Sequence, residues 1–287
     1  MDQITFREVS ARDTGQVDDL VSESFGYSPP HRYFDDFPVW SAPGVLRLGG
    51  YSGNRLVSHV GIHFRNVRSG GTRTPVALIG AVATLESFRG RGLVSSLMRL
   101  ALSKADLAGC TWSLLWGSEH DFYAKFGFKL SGTQARARLA TLSPAGFRTF
   151  NPNLEIHSGL CQGILDDFQN RTTGIEFTPS DREWLARQTT VTWESIKEPF
   201  AFIGYGRGMD LKGMVHETGG DPAGIRELLI RLMNRNPEAE MIGAEHELLG
   251  LGFKSETLVL EGLCLARPRN DTIEWNQDFW ISGLGAV

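Results

Sequence analysis

Apolar and polar positions alternate over Ile4-Thr5-Phe6-Arg7-Glu8-Val9, which predicts a first strand. The period lengthens from Asp13 to Phe25, where Val17, Leu20, Val21 and Phe25 share one face of a predicted helix. Alternation returns from Gly44 to Gly53 and from Arg55 to Phe64, a predicted hairpin turned by Ser52-Gly53-Asn54. Val76 to Thr84 reads as a further strand. Beyond it, Leu93, Leu97, Leu100 and Ala101 fall on one side of a second helix, and Thr111 to Trp116 returns to strand. The order is strand, helix, antiparallel strands, then strand, helix, strand.

The second half echoes the first. Gly243-Ala244-Glu245-His246 followed by Gly252-Phe253-Lys254 repeats Gly117-Ser118-Glu119-His120 followed by Gly127-Phe128-Lys129, and the amphipathic run from Gly224 to Asn234 parallels that from Gly92 to Leu102. Self-similarity in this order predicts two copies of one fold. Periodicity breaks from Leu142 to Asn153, at Pro144, Gly146 and Pro152, which marks a linker. The division expected is 1–142, a linker at 143–153, a second unit at 154–266 and a tail at 267–287. That tail carries Trp275, Phe279 and Trp280 and is apolar enough to be expected to dock on the first unit or between the two.

The candidate chemistry lies between the predicted strand at 76–84 and its helix, in Arg89-Gly90-Arg91-Gly92-Leu93-Val94-Ser95. A glycine turn running into a helix N-terminus gathers backbone N–H groups that have no intrahelical partner, and the helix dipole favours an anion there. The spacing is neither G-x-G-x-x-G nor G-x-x-x-x-G-K-[ST], so the dinucleotide and nucleoside-triphosphate fingerprints are both unmet. A second run, Gly117-Ser118-Glu119-His120-Asp121-Phe122-Tyr123-Ala124-Lys125-Phe126-Gly127-Phe128, reads as a strand end and a short helix. There Phe122 and Phe126 are expected to be the buried stripe, with Tyr123 about 100° away and its hydroxyl free. Before Gly224, by contrast, stands Gly219-Gly220-Asp221-Pro222, acidic and without arginine, and Leu248 and Leu249 fill the region of the tyrosine. The second copy is expected to have lost the anion cradle.

The first run resembles motif A of the GNAT acyltransferases, [RQ]-x-x-G-x-[GA], matched at Arg89 and Gly92 and departing at Val94, where the family has Gly or Ala. With S-E-x-x-x-Y-x-x-F-G-[FY] at Ser118 to Phe128, the chain is similar to the tandem-domain N-acetyltransferases typified by the enhanced intracellular survival protein. A counterpart of their further sterol-carrier-like domain is not expected within these residues, so the role of their terminal carboxylate is not carried over to Val287. The resemblance is carried by residues 1–142. It implies a mixed-sheet α/β fold, a tandem GNAT arrangement with the second copy degenerate, and acetyl-CoA as co-substrate. It further implies that backbone at Val82, Ala83 and Thr84 holds the pantetheine arm, that Gly90 to Ser95 take the pyrophosphate, that Ser118 and Glu119 meet the cofactor, and that Tyr123 is the general acid. For the base, Glu119, His120, Glu86 and His63 all stand open.

Composition narrows the classes further. The chain has 287 residues, 41% hydrophobic and 22% charged, with net charge −4, which gives no electrostatic reason to bind nucleic acid and mildly favours a cationic acceptor. No apolar run reaches the roughly 18 residues of a membrane span, and the first residues show no signal pattern, so a cytoplasmic location is expected. Cys110, Cys161 and Cys264 are far apart without C-x-x-C, and neither disulfides nor a metal are expected. The expected function is transfer of an acetyl group to a small-molecule amine. Its rival is a non-catalytic module of the same fold that binds acyl-CoA or a partner protein. Motif A is silent on the acyl chain, and transfer to a hydroxyl stays open.

Overall fold

In the computed structural model, which describes residues 3–142, 155–270 and 280–285, one continuous mixed sheet runs through both halves of the chain. The first half contributes β1 (Ile4–Glu8), α1 (Thr14–Ser24), α2 (Tyr33–Asp36), β2 (Leu46–Ser52), β3 (Arg55–Ser69), β4 (Thr72–Thr84), α3 (Leu93–Leu107), β5 (Trp112–Leu115), α4 (His120–Ala124) and β6 (Lys129–Arg138). After it come β7 (His157–Ser158), α5 (Gln162–Asn170), β8 (Gly174–Ile175), α6 (Arg182–Ala186), β9 (Thr192–Ile196), β10 (Ala201–Tyr205), β11 (Met214–Gly220), α7 (Pro222–Arg235), β12 (Glu240–Gly243), α8 (Glu245–Gly250) and β13 (Val259–Pro268). The strand order is β1-β2-β3-β4-β5-β13-β6-β12-β11-β10-β9-β7, with β8 added beside β3. The fold class is mixed α/β.

Two pairings in that order are parallel, β4 with β5 across α3 and β11 with β12 across α7. Each is followed by a short helix and a long strand, so the local architecture repeats where the sequence echoes. At the middle the long strands trade places. β13 pairs with β5 and β6 pairs with β12, while β6 and β13 pair antiparallel with each other. Neither half completes its sheet with its own last strand.

The hairpin β3–β4 is longer than the alternation predicts, running on through Arg65 to Ser69 and back from Thr72. These outer positions are polar, and the second half stabilises them. Val67 and Arg68 pair with Ile175 and Gly174, Arg65 forms a nearly buried ion pair with Asp181, and Arg68 pairs with Glu176. A sequence window of ten residues cannot register partners more than a hundred positions away.

Three apolar clusters fill the space against the sheet. α3 buries Leu97, Met98 and Ala101 with Ile62, Ile79 and Leu115 in one, and α7 buries Leu228, Leu229 and Leu232 with Ile203 and Met241 in another. The third pools both halves, joining Val17, Tyr33 and Trp40 to Phe168, Trp193, Phe202 and Ile281. Burial of this kind supplies the main driving force, at about 25 cal/mol per Å² of apolar surface. Cys110 and Cys264 are buried within the core, Cys161 is half-buried, and all three are free thiols. Among the described residues no helix is long and apolar enough to cross a membrane.

Candidate active site

β4 and β5 run side by side only from Val76↔Trp112 to Leu78↔Leu114, after which β4 continues to Thr84 with no β5 partner. The strands open like a V. At the same depth β4 changes register against β3, because His59 faces Ala83 and Gly61 faces Gly80, so that Ala81 and Val82 together stand opposite Val60. This is a β-bulge, which leaves strand amides out of the ladder and re-aims them. Ala81 has φ +50°, the sole left-handed non-glycine among the described residues. For a residue with a Cβ that conformation costs about 1–2 kcal/mol, so surrounding groups must hold it.

They are visible. Nδ1 of His59 donates to the Ala81 carbonyl at 2.7 Å, and the buried Tyr33 hydroxyl meets the Ala81 backbone. His59 is fully buried with Nε2 unpartnered, and burial holds its pKa down at about 4, so the ring is neutral. The side-chain pattern of β3 could not reveal this, since a histidine on an alternating strand looks the same packed or exposed. His59→Leu leaves the Ala81 carbonyl unpaired, whereas His59→Asn keeps a donor near the Nδ1 position. The leucine variant is expected to be less stable than the asparagine one by about 1 kcal/mol or more in denaturant titrations. Equal stabilities would remove the clamp.

A cavity of about 560 Å³ occupies the V. Its walls are the bulge at Gly80 to Val82, the β5 end at Leu115 and Trp116, Ser118, Glu119 and Tyr123 from the following turn and α4, and residues of the second half around Arg207 to Leu211. Tyr123 is 9% exposed and packs edge-on to Phe122 and Phe128. This reverses the expected burial, for Phe122 and Phe126 are only half-buried while Tyr123 belongs to the core. α4 ends at Ala124 and Phe126 lies in the turn beyond it, where it still meets the Phe122 ring at 5.3 Å, and this short element turns Tyr123 inward while both phenylalanines stay half-buried. Burial, helped by the charge of Glu119, pushes the Tyr123 pKa to about 12. The phenol therefore holds its proton at neutral pH.

Beyond the bulge, β4 leads through Ala83 and Thr84 to the glycine turn. Gly90 and Gly92 have φ +75° and +73°, open to glycine and strained for other residues. Gly92 is the N-cap of α3 and contributes no side-chain cap, so the first-turn N–H groups of Leu93, Val94 and Ser95 have no intrahelical acceptor. The arginines flank this end, exposed, with Arg89 bonded to the Thr84 carbonyl and Arg91 to that of Ser87. Leu93 and Val94 turn their side chains toward the core, so they present backbone alone. That explains how a valine stands at position 94.

Of the four base candidates, Glu119 alone lines this cavity. His120 and Glu86 are exposed elsewhere, and His63, 8% exposed, borders a separate cavity under α6, its pKa held at about 3 by burial and the Arg65 charge. Buried neutral histidines set a pH dependence. His59 and His63 have folded pKa values of about 4 and about 3, below the 6.5 of the unfolded chain, and burial also lowers His216. Unfolding then takes up protons as pH drops. Stability is expected to be full above pH ~6.5 and to fall toward pH ~4 by about 1.4 kcal/mol per pH unit for each histidine. Denaturant midpoints flat from pH 7 to pH 5 would contradict this.

The corresponding V of the second half holds a smaller cavity, of about 330 Å³, and its helix is capped. β11 and β12 pair at Met214↔Glu240 and Val215↔Met241 and then part. The α7 N-terminus is capped by Asp221, whose carboxylate accepts from the Gly224 N–H at 2.9 Å, with Pro222 in the first turn. The opening holds a buried ionic layer, Arg171 between Glu217 at 2.7 Å and Asp167 at 3.2 Å. Residues 280–285 lie against it. The Leu284 N–H donates to Glu217, and the Gly283 carbonyl accepts from Arg207. Ile281 and Gly283 face the first cavity, while Trp280 and Ser282 face the second, so this segment is the wall between them. The predicted linker at 143–153, Trp275, Phe279 and Val287 lie outside the described residues.

Residues 5–131 match the family model of the acetyltransferase (GNAT) domain. A comparison with curated protein sequences finds no match. Among solved structures, a "probable N-acyltransferase" of Enterococcus faecalis V583 is similar at TM-score 0.68, with 15% identity over 93% of this chain and 73% of that one. A GCN5-related N-acetyltransferase of Kribbella flavida gives 0.66, at 19% identity over 93% and 71%. Eis1 of Mycobacterium abscessus gives 0.64, at 14% over 93% and 74%. At such identities these likenesses establish the fold. The chain thus carries a GNAT acetyltransferase domain match over residues 5–131, within an overall fold shared with GCN5-related N-acetyltransferases.

Proposed function

We propose that the protein is an acetyl-CoA-dependent N-acetyltransferase, built as a tandem duplication whose first half is catalytic and whose second half shapes the acceptor side. The observation that carries this reading is the free edge of β4. Beyond Leu78 it has no β5 partner, lines the cavity at Tyr123 through Val82, and leads through Thr84 to the uncapped N-terminus of α3. Such a track suits a long ligand with a pyrophosphate at one end and a reactive group at the other, its amides adding to the free strand edge.

The amides at Gly90 to Ser95 and the side chains of Arg89 and Arg91 hold the pyrophosphate, and backbone at Val82 to Thr84 takes the pantetheine arm. At the bulge the Val82 N–H stabilises the negative charge that develops on the thioester oxygen. Glu119 accepts a proton from the attacking amine, with Ser118 beside it. The amine nitrogen bonds to the acyl carbon as the carbon–sulfur bond breaks, and Tyr123 gives its proton to the departing sulfur. The products are an amide and a free thiol. Positioning supplies the rest of the rate, since the thioester is already activated.

The experiment is a thermal-shift series with coenzyme A and acetyl-CoA, followed by thiol release over an amine panel. Ligand at a hundred times its Kd should stabilise the fold by about 2.7 kcal/mol. Stabilisation without thiol release to any amine would favour the non-catalytic binding module. No stabilisation by either compound would defeat the enzyme and the acyl-CoA-binding module, and leave a module that binds a partner protein.

A further inference from the structure

The acceptor side of the cavity has a distinct chemistry. Tyr33 stacks on Phe37 with ring centroids 4.6 Å apart, Phe25 leans on Tyr33 at 5.3 Å, and Tyr27 meets it edge-on at 5.8 Å. Both tyrosine hydroxyls are turned into the wall. That of Tyr27 donates to Asp36 at 2.6 Å, and that of Tyr33 meets the Ala81 backbone. Tyr33 is only 4% exposed and backs the wall, so the exposed Phe25 ring and the half-buried Tyr27 and Phe37 are what remain for a ligand.

The charges around them are already engaged. Arg207 is held by both oxygens of Asp210 and by the Gly283 carbonyl, and its guanidinium lies 4.5 Å over the Phe37 ring. Asp36 is 3% exposed and accepts from Tyr27 and from the Met209 N–H. A Cβ at Gly208 would lie 1.7 Å from that carboxylate, so the loop bearing Met209 is fitted closely around it. Glu119 is different. No hydrogen bond or ion pair engages its carboxylate among the described residues, and it stands one helical turn from Tyr123. The wall therefore offers one anionic anchor at the chemistry and an apolar, aromatic surface around it.

Two of the exposed large apolar side chains stand on the lining of this cavity, Phe25 at 47% and Met209 at 59%. Apolar groups left open at a concave site mark where an apolar ligand is received. From this arrangement we propose that the acceptor is a primary amine carried on a compact, ring-bearing apolar body, rather than a polyamine or an amino sugar. The ring lies among Phe25, Tyr27, Phe37 and Met209, and its amine reaches Glu119. A second ammonium would find only Asp210, already paired with Arg207, and sugar hydroxyls beyond the reach of Ser118 and Gln134 would face rings rather than partners. The inference rests on the acyl-transfer reading of the same cavity.

The test is a calorimetric titration of the full chain, saturated with coenzyme A, using 2-phenylethylamine, spermidine and glucosamine as probes. 2-Phenylethylamine is expected to bind roughly tenfold or more tighter than the other two, the worth of one buried ring. Phe25→Ser and Met209→Ser, both at exposed positions, should each weaken it several-fold. Spermidine or glucosamine binding as well or better overturns the proposal, as does absent binding of 2-phenylethylamine or indifference to both substitutions. Thiol release separates the two claims. Selective binding without acetyl transfer leaves the acceptor site standing and defeats the enzyme, while transfer to spermidine or glucosamine alone does the reverse.

Discussion

Tyr123→Phe is expected to lower kcat by roughly 10²-fold while leaving the KM for acetyl-CoA nearly unchanged. The substitution removes one oxygen from a ring that is otherwise core. Packing against Phe122 and Phe128 needs only the ring, so the fold should persist. What is lost is the proton donor to the departing sulfur. A phenol whose pKa burial pushes to about 12 stays protonated through the neutral range, so the tyrosine itself imposes no upper pH limit below that value. The measurement is steady-state thiol release at saturating acceptor. A variant with wild-type kcat would take the acid role from Tyr123, and a rise in KM at constant kcat would make it a binding residue instead.

The second large effect concerns stability. Arg171→Met should destabilise the fold by about 3–5 kcal/mol, because it leaves Glu217, whose side chain is wholly buried, without its cation. The arginine also bridges to Asp167 and to the Thr218 carbonyl, and lies 4.4 Å over the Phe168 ring. Removing it empties the centre of the second V and loosens the seat of Leu284 on Glu217. Neutralising both partners, as Arg171→Met with Glu217→Gln, should recover much of the loss, since the main penalty is the uncompensated buried charge. Denaturant titration of the three variants checks this. Additive losses in the double variant would show that the pair stabilises by attraction rather than by avoiding an orphaned anion.

Much of the site was legible because its chemistry is local. The glycine turn, the uncapped helix and the tyrosine run are each contained in a dozen residues, and α3 buries Leu93, Leu97 and Ala101 as the spacing requires. The loss of the second cradle was legible in the same way, from Asp221 and Pro222 before Gly224. What escaped the sequence depends on distant partners. The outer halves of β3 and β4 exist because Asp181 and Glu176 pair with their arginines, and the exchange of β6 and β13 is a matter of pairing choice that no single strand encodes. His59 was missed since its meaning lies in the carbonyl it holds, and a bulge at Ala81 leaves no mark in an apolar run. The aromatic wall fell within a stretch, Gly26 to Pro43, that periodicity leaves as a loop. Tyr123, which the motif singles out, lines the cavity, but helical spacing misplaces its burial because α4 is a single short turn.

The most direct test is hydrogen–deuterium exchange of the full chain with and without coenzyme A. Ligand lying along the free edge of β4 with its pyrophosphate on α3 should slow exchange at residues 79–84 and 90–96 and leave 214–220 and 222–228 unchanged. Protection confined to the second V, or none at either opening, would contradict the assignment of the first half as the coenzyme A site.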